Sequence, residues 1–412
     1  MSAGIATQRS RAESAGERLL DALARFTFSG SPTVHRREGN LDYFVNEFWT
    51  AGQRQAHSLH EVSYRACFKP QLPEFFIARL TEPGASVYDP FSGRGTTALQ
   101  AALMGRRPVA NDVNPLSRLL VEPRLEPPDI EAVRERLAEI DLDHAEIGVE
   151  HDPLLAFYHR ETLRRILALR AYLLAREASG ACDRIDAWIR MVAINRLTGH
   201  SSGFLSVYTL PPNQAISPEA QRRINVARRQ TPPIRDLRAI VLKKTRRLLA
   251  DGAPPPHPRP LILTRPTHST PAIADGAVDL LITSPPFLDV VDYAADNWLR
   301  CWFAGIDPSS VQIDRHRDIR AWERFVRLSF QEFARVMRPG GIAAFEVGEV
   351  RRGRILLERN VASAIEGLPF RVLGVMVNRQ EFTKTANCWG VANNRGGTNS
   401  NRIVIVERSH WA

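Results

Sequence analysis

Apolar and polar positions along the chain follow two rhythms. The first is a short apolar run that stops at Asp, Gly or Pro, the pattern of a buried strand emptying into a turn. It occurs at SVYDP (86–90), RPVANDVNP (107–115), PLILT (260–264), VDLLITSPPF (278–287) and RVMRPGGIAAFEVGE (335–349). Between the first two lies TTALQAALMG (96–105), a helical stretch closed by Gly105. Strand, Gly-rich turn, helix and strand in that order open a doubly wound α/β fold. FRVLGVMV (370–377) and NRIVIVER (401–408) read as the strands of a terminal antiparallel hairpin.

The second rhythm has the period of a helix and interrupts the first. DPLLAFYHRETLRRILALRAYLLARE (152–177) and CDRIDAWIRMVAINRL (182–197) carry it, and the Pro-rich APPPHPRP (253–260) closes the block. The chain therefore divides into a polar segment over 1–40, a first α/β part over 41–122, a mainly helical insertion over 123–257 and a second α/β part over 258–412. Residues 1–40 read as a helix and a loose stretch. In the segment after them Phe44, Phe48 and Trp49 are spaced to bury one helix face, and Pro73 suits the first turn of another helix.

Composition narrows the class. No run of 18 apolar residues occurs, and the first 30 residues lack the apolar block of a secretory signal, so no membrane partner and a cytoplasmic location are expected. Cys67, Cys182, Cys301 and Cys388 show no CxxC pairing, which argues against a zinc site or a disulfide framework. The net charge of +10 is concentrated. Residues 221–247 hold ten Lys or Arg against the single acid Asp236. A solvated helix face usually mixes signs, so Arg222, Arg223, Arg228, Arg229, Lys243 and Lys244 are candidate nucleic-acid contacts. His57 and His60 read as a polar surface pair, and Glu346 and Glu349 as a solvated strand end, with the edge of the active-site cleft as the alternative.

Two motifs carry chemistry. In YDPFSGRGTTA (88–98), Gly93 and Gly95 sit between a strand and a helix, and Asp112 ends the next strand. Glycines let a ligand approach the backbone, the helix N-terminus favours a carboxylate, and an acid after the second strand can take both hydroxyls of a ribose. Ala98 replaces the third glycine of a dinucleotide site and no GK[ST] follows, which counts against NAD and ATP. An adenosyl ligand bearing a carboxylate, S-adenosylmethionine, fits. In LLITSPPF, two prolines fix the turn and contribute no N–H donors, so the Ser284 hydroxyl and the Pro285 carbonyl can accept. Two acceptors gripping the N–H bonds of an aromatic amine would expose its delocalised lone pair to an electrophilic methyl. Phe287 offers a stacking face worth roughly 1–3 kcal/mol. The alternative for this loop is a rigid Pro-Pro turn capped by a core phenylalanine. None of the four cysteines follows a proline, against a covalent cytosine-C5 mechanism.

Together DPFSGRGTT and TSPPF resemble the amino-methyltransferases of DNA, whose motifs are a D/N-PF-x-G-x-G turn and an (S/N/D)-PP-(Y/F) tetrapeptide. FKPQLPEFFI, VMRPGG and NRIVIVER are also similar to segments of that family, so the resemblance spans most of the chain outside the insertion. It implies a Rossmann-like class I methyltransferase sheet and S-adenosyl-L-methionine as cofactor. It also implies that Asp89, Pro90, Phe91, Gly93, Gly95 and Thr96 line the cofactor pocket, that Asp112 binds the ribose, and that Ser284, Pro285, Pro286 and Phe287 hold the target base. A serine opening the tetrapeptide is more usual in cytosine-N4 enzymes. The expected partner is double-stranded DNA, with RNA as the alternative, and with or without a cognate restriction endonuclease. Adenine-N6 methylation and a catalytically silent nucleic-acid-binding scaffold are the competing readings. The insertion does not lie at a standard target-recognition position, and LTRPTH lacks the acid often seen near the adenine.

Overall fold

The computed structural model describes residues 14–49, 56–64, 67–209, 215–286, 293–307, 311, 316, 318–350, 355–379 and 400–409. Phe287 lies outside the described residues.

Helix α1 (Ala15–Ala24) opens on a reciprocal Ser14–Glu17 cap and is followed by the short ladder β1 (Thr27–Phe28) and β2 (Ser31–Pro32). Strands β3 (Val34–Glu38) and β4 (Leu41–Asn46) form a hairpin in which Glu38 faces Leu41. Phe44 therefore stands in a strand and not on a helix, although Phe44, Phe48 and Trp49 are all buried. The deciding signal is the two-residue turn Gly39-Asn40, with Gly39 at φ 61°, the left-handed geometry that tight hairpins require. Helix α2 (Gln71–Leu80) holds Pro73 in its first turn.

The α/β core follows as β5 (Ser86–Asp89), α3 (Thr96–Leu103), β6 (Arg107–Asn111) and α4 (Pro115–Leu125). Then come α5 (Ile130–Glu139), α6 (Arg160–Ala178), α7 (Arg184–Ile194), α8 (Pro218–Arg228) and α9 (Leu237–Leu248). The sheet resumes with β7 (Leu261–Leu263) and β8 (Val278–Thr283), followed by α10 (Tyr293–Ala304) and α11 (Ile319–Val336). The last elements are β9 (Met337–Val347), the small ladder β10 (Glu349–Val350) and β11 (Ile355–Leu356), α12 (Leu357–Ala364), β12 (Phe370–Arg379) and β13 (Ser400–Arg408).

Among the described residues the main sheet has nine strands, ordered β3-β4-β12-β13-β9-β8-β5-β6-β7. Strands β7, β6, β5, β8 and β9 run parallel, and β13 lies antiparallel between β9 and β12. A parallel sheet with one reversed strand inserted before its edge is the class I methyltransferase order, here extended at that edge by the β3–β4 hairpin. Strand β5 has its chain successor β6 on one side and the later β8 on the other. That reversal of order opens a crevice beyond the carboxyl ends of β5 and β8.

Among the described residues the insertion has no core of its own. Trp188 and Met191 of α7 join one apolar cluster with Ala98 of α3, Leu116 and Leu120 of α4, and Leu299 of α10. Helix α4 runs through the expected boundary at 123, carrying Pro123 inside it. His60 is buried against Gln100, with its ring nitrogen 2.9 Å from the Gln100 oxygen, and burial pushes its pKa down to about 3. It is not a surface residue: the apolar packing of Leu59 draws the 3-10 turn Ser58–His60 against α3.

Candidate active site

The two motifs leave neighbouring parallel strands at the same end. Val87 faces Leu280 and Tyr88 faces Leu281 across β5 and β8. The glycine turn (90–95) and the Ser284-Pro285-Pro286 loop therefore emerge side by side. A buried hydrogen bond of 2.6 Å joins them, from the Thr283 hydroxyl to the Asp89 carboxylate. Asp89 is 1% exposed and also accepts from the Phe91 amide at 3.2 Å. Burial pushes its pKa up to about 7. Its place is beneath the glycine turn, where it fixes the turn to β8.

Asp112 follows β6 directly. Its two carboxylate oxygens accept from the Gly93 amide at 2.8 Å and the Asn114 amide at 2.9 Å. Removal from water pushes its pKa up to about 6. A carboxylate offers about four acceptor directions, so two remain for ribose hydroxyls. Asn111 staples β6 to the end of the β7 segment: its side-chain amide donates to the Arg265 carbonyl at 2.9 Å and its oxygen accepts from the Arg265 amide at 3.1 Å. The Pro90 carbonyl takes the Thr267 hydroxyl at 3.2 Å. Phe91 is half-buried against Phe325 of α11, with ring centres 5.5 Å apart.

Helix α3 begins at Gly95 with no side-chain cap. Its first-turn amides are the donors that a carboxylate-bearing cofactor needs, and with Asp112 opposite they fit S-adenosylmethionine. The two glycines have different reasons. Gly93 (φ 51°) has Tyr64 3.5 Å from where a side chain would start, whereas at Gly95 (φ 76°) that position falls 2.4 Å from Val121 of α4. Gly95 thus permits a close helix contact. The Thr96 hydroxyl accepts from Arg94 at 3.1 Å. Arg94 is itself buried and donates to the Val62 and Phe68 carbonyls at 3.0 and 3.3 Å, pinning the preceding segment over the turn.

On the other side of the crevice, Trp322 of α11 is fully buried and its indole donates to the Pro286 carbonyl at 2.9 Å. The carbonyl it occupies is not that of Pro285, the acceptor expected from the sequence. Ser284 neighbours Glu346 across the ends of β8 and β9, and the Glu346 carboxyl takes the Asn401 side-chain amide. Glu346 is 6% exposed, so it is not a solvated strand end. Its neighbours Phe345 and Val347 point into the apolar layer, and β13 pairs with β9 from Ile342 to Val347. Sequence reasoning had no signal for Trp322 or Asn401. Both are far from the motifs along the chain and meet them only through the sheet order.

The basic segment splits. Helix α8 exposes Arg222, Arg223, Arg228 and Arg229, and Gln221 is its sole buried residue. Polar contacts hold it down: Gln221 donates to the Tyr208 carbonyl at 3.0 Å, and Asn225 to the Ala156 carbonyl at 2.8 Å. Arg228 lies 3.8 Å over the Tyr208 ring. On α9 Lys243 is exposed, but Lys244 is buried, 3.3 Å from Glu61, with burial pushing its pKa down to about 8.

The sheet order and the pair of loops at its reversal define a class I, S-adenosylmethionine-dependent methyltransferase scaffold. Within that class, residues 27–151 match the family model described as DNA methylase. Over 117 residues it is 30% identical to the Type II methyltransferase M.MjaII of Methanocaldococcus jannaschii. That match covers 26% of this chain and 22% of the relative, so the chain spans about a fifth of that relative's length. Among solved structures, the rRNA methyltransferase aviRa of Streptomyces viridochromogenes overlays 88% of this chain and 94% of its own at 13% identity and a TM-score of 0.32. The geranyl diphosphate C-methyltransferase of Streptomyces coelicolor overlays 82% and 76% at 10% identity and a TM-score of 0.33. No helix among the described residues is long and apolar enough to cross a membrane.

Proposed function

We propose that the chain transfers a methyl group to an exocyclic amine of a DNA base, cytosine N4, in double-stranded DNA. The observation that carries this reading is the adjacency of β5 and β8, locked by the Thr283–Asp89 hydrogen bond, which sets the cofactor turn beside Ser284-Pro285. The cofactor supplies an electrophilic methyl on a sulfonium sulfur. Asp112 and the first-turn amides of α3 hold it, and the Ser284 hydroxyl with the Pro285 carbonyl accepts the two amine N–H bonds.

A stacked, paired base is out of reach of this crevice, so the target is extruded at a cost of a few kcal/mol. Phe287 provides its stacking face in this reading. Exposed Arg222, Arg223, Arg228, Arg229 and Lys243 supply the phosphate contacts that hold the duplex. Cytosine is favoured over adenine by the serine that opens the tetrapeptide, and a cognate restriction endonuclease is the partner such an enzyme would protect against.

Nucleoside mass spectrometry of DNA and RNA from a methylation-free host expressing the chain tests this. N4-methylcytosine in DNA is the expected product. A dominant N6-methyladenine peak overturns the base, methylation confined to RNA overturns the substrate, and no modified base in either pool leaves a silent scaffold.

A further inference from the structure

Between α7 and α8, residues 196–209 double back on themselves. The Leu205 amide donates to the Arg196 carbonyl at 2.8 Å and the Thr209 amide to the Gly199 carbonyl at 3.1 Å, so the loop is closed twice. Inside it the Gly199 amide donates to the Ser206 hydroxyl at 3.2 Å, and the Phe204 ring lies 2.4 Å from where a Gly199 side chain would start. Leu205, Ser206 and Val207 are buried at its base. Ser201 and Ser202 at its tip are exposed, and among the described residues neither hydroxyl has a hydrogen-bond partner. Both ends of the loop are tied to the crevice. Asn195, just before it, takes the Ser63 amide at 3.1 Å, and Tyr64 is the residue whose ring lies against Gly93 of the cofactor turn. At the other end the Val207 amide donates to the Phe157 carbonyl at 2.8 Å, and the Phe157 ring packs on Trp298 of α10 with centres 6.2 Å apart. The Trp298 indole in turn donates to the Ala215 carbonyl at 3.2 Å. Helix α10 is the one that follows the Ser284-Pro285-Pro286 loop.

The basic helix leans on the same loop. Arg228 of α8 lies 3.8 Å over the Tyr208 ring, and the Gln221 and Gln230 side chains both donate to the Tyr208 carbonyl, at 3.0 and 2.9 Å. The exposed guanidinium groups and the exposed serine hydroxyls therefore belong to one unit. Guanidinium groups on phosphates hold a duplex whatever its sequence. A hydroxyl is uncharged, has one donor and two acceptor directions, and can bond the edge of a base. Held on a loop this firmly closed, two hydroxyls keep fixed positions, so a base pair of the wrong pattern leaves a polar group unmet. We infer that the tip formed by Ser201 and Ser202 reads the groove edges of base pairs beside the extruded target, and that this loop sets the sequence preference while the arginines of α8 supply grip. The inference rests on the proposed action on double-stranded DNA.

The test uses the full chain, as wild type and with Ser201→Ala and Ser202→Ala combined, on a library of duplexes with randomised positions. Duplexes retained in the presence of S-adenosylhomocysteine are sequenced, and methylated positions in the same library are mapped by long-read sequencing. Cofactor affinity and the salt dependence of duplex binding are measured alongside. The double variant is expected to lose about 10-fold of the wild-type discrimination at one or two base pairs of the preferred site, within the range of a base-edge contact. Its salt slope should equal that of wild type, because neither hydroxyl carries charge, and its cofactor affinity should stay within about twofold. Unchanged discrimination in the variant overturns the inference. So does an equal loss of affinity for every sequence, which would make the serines phosphate contacts, and so does a collapse of cofactor affinity, which would make the loop a wall of the cofactor site. A wild-type protein that retains no preferred duplex sequence overturns it as well, whether or not RNA is methylated. A wild-type protein that methylates nothing yet retains a preferred sequence, relaxed in the variant, sinks the methylation reading and leaves the reading loop standing.

Discussion

Asp89 and Asp112 are two carboxylates one strand apart with different work, and each can be tried singly. Asp112 faces the glycine turn with acceptor directions to spare. Asp112→Ala should weaken cofactor binding by about 1.5–3 kcal/mol, the range for losing charged hydrogen bonds. Unchanged affinity by calorimetry would remove Asp112 from the site. Asp89 lies inside the fold, and its folded pKa of about 7 is above the ordinary carboxylate value. The folded state therefore holds the Asp89 proton more tightly than the unfolded state does. Its contribution to stability is fully present below about pH 4, declines by up to ~1.4 kcal/mol per pH unit through the interval, and is gone above about pH 7. Asp89→Asn should show a flatter dependence between pH 5 and 7 in urea unfolding than wild type. Parallel curves would place the titration elsewhere. Of these two placements the sequence showed one. An acid after a second strand announces itself by position, but an acid before a glycine turn reads as a pocket residue until Thr283, 194 positions away, is found bonded to it.

Among the elements, the α3–α4 contact depends on a missing side chain. At Gly95 a Cβ would meet Val121 Cγ2 at 2.4 Å, and the backbone is left-handed there. Gly95→Ala should cost at least about 2 kcal/mol, the sum of a ~1–2 kcal/mol conformational term and overpacking of ~1–3 kcal/mol. Val121→Ala relieves the second term alone. The double variant should then be more stable than the two single losses predict, and strict additivity in urea unfolding would refute the contact. The strands of the sheet were legible for a related reason: SVYD, RPVAN and VDLLIT are apolar runs with their turn residues attached, and a buried parallel strand needs little else. The β3–β4 hairpin was not, because Phe44, Phe48 and Trp49 suit a helical spacing as well as a strand followed by a bend. Gly39-Asn40 was the discriminating dipeptide. Glu346 was read as solvated for want of the strand order, since whether the end of β9 meets water depends on β13 lying beside it.

At the scale of the molecule, the positive charge has two fates. The four arginines of α8 are exposed on a helix with almost no apolar footing, whereas Lys244 is spent on Glu61 inside the fold. Replacing Arg222, Arg223, Arg228 and Arg229 by Gln should make the log–log salt dependence of duplex binding shallower by about 3.6 if all four touch phosphate, at ~0.9 each. Lys244→Gln should leave that slope unchanged and lower the unfolding midpoint instead. A reversal of the two outcomes would move the proposed DNA surface from α8 to α9.

Strand β13 enters the sheet between β9 and β12, although it is the last of them in the chain. Synthesis runs from the N-terminus, so a growing chain exposes the bonding edges of β9 and β12 to each other and to other chains until this strand emerges. Asn401 arrives with it, and only then does Glu346 have this partner. Ribosome-held chains halted before residue 400 should therefore bind cofactor poorly or aggregate, and transfer no methyl. The site would be completed only as this strand joins the sheet, so no shorter piece of the chain would be active.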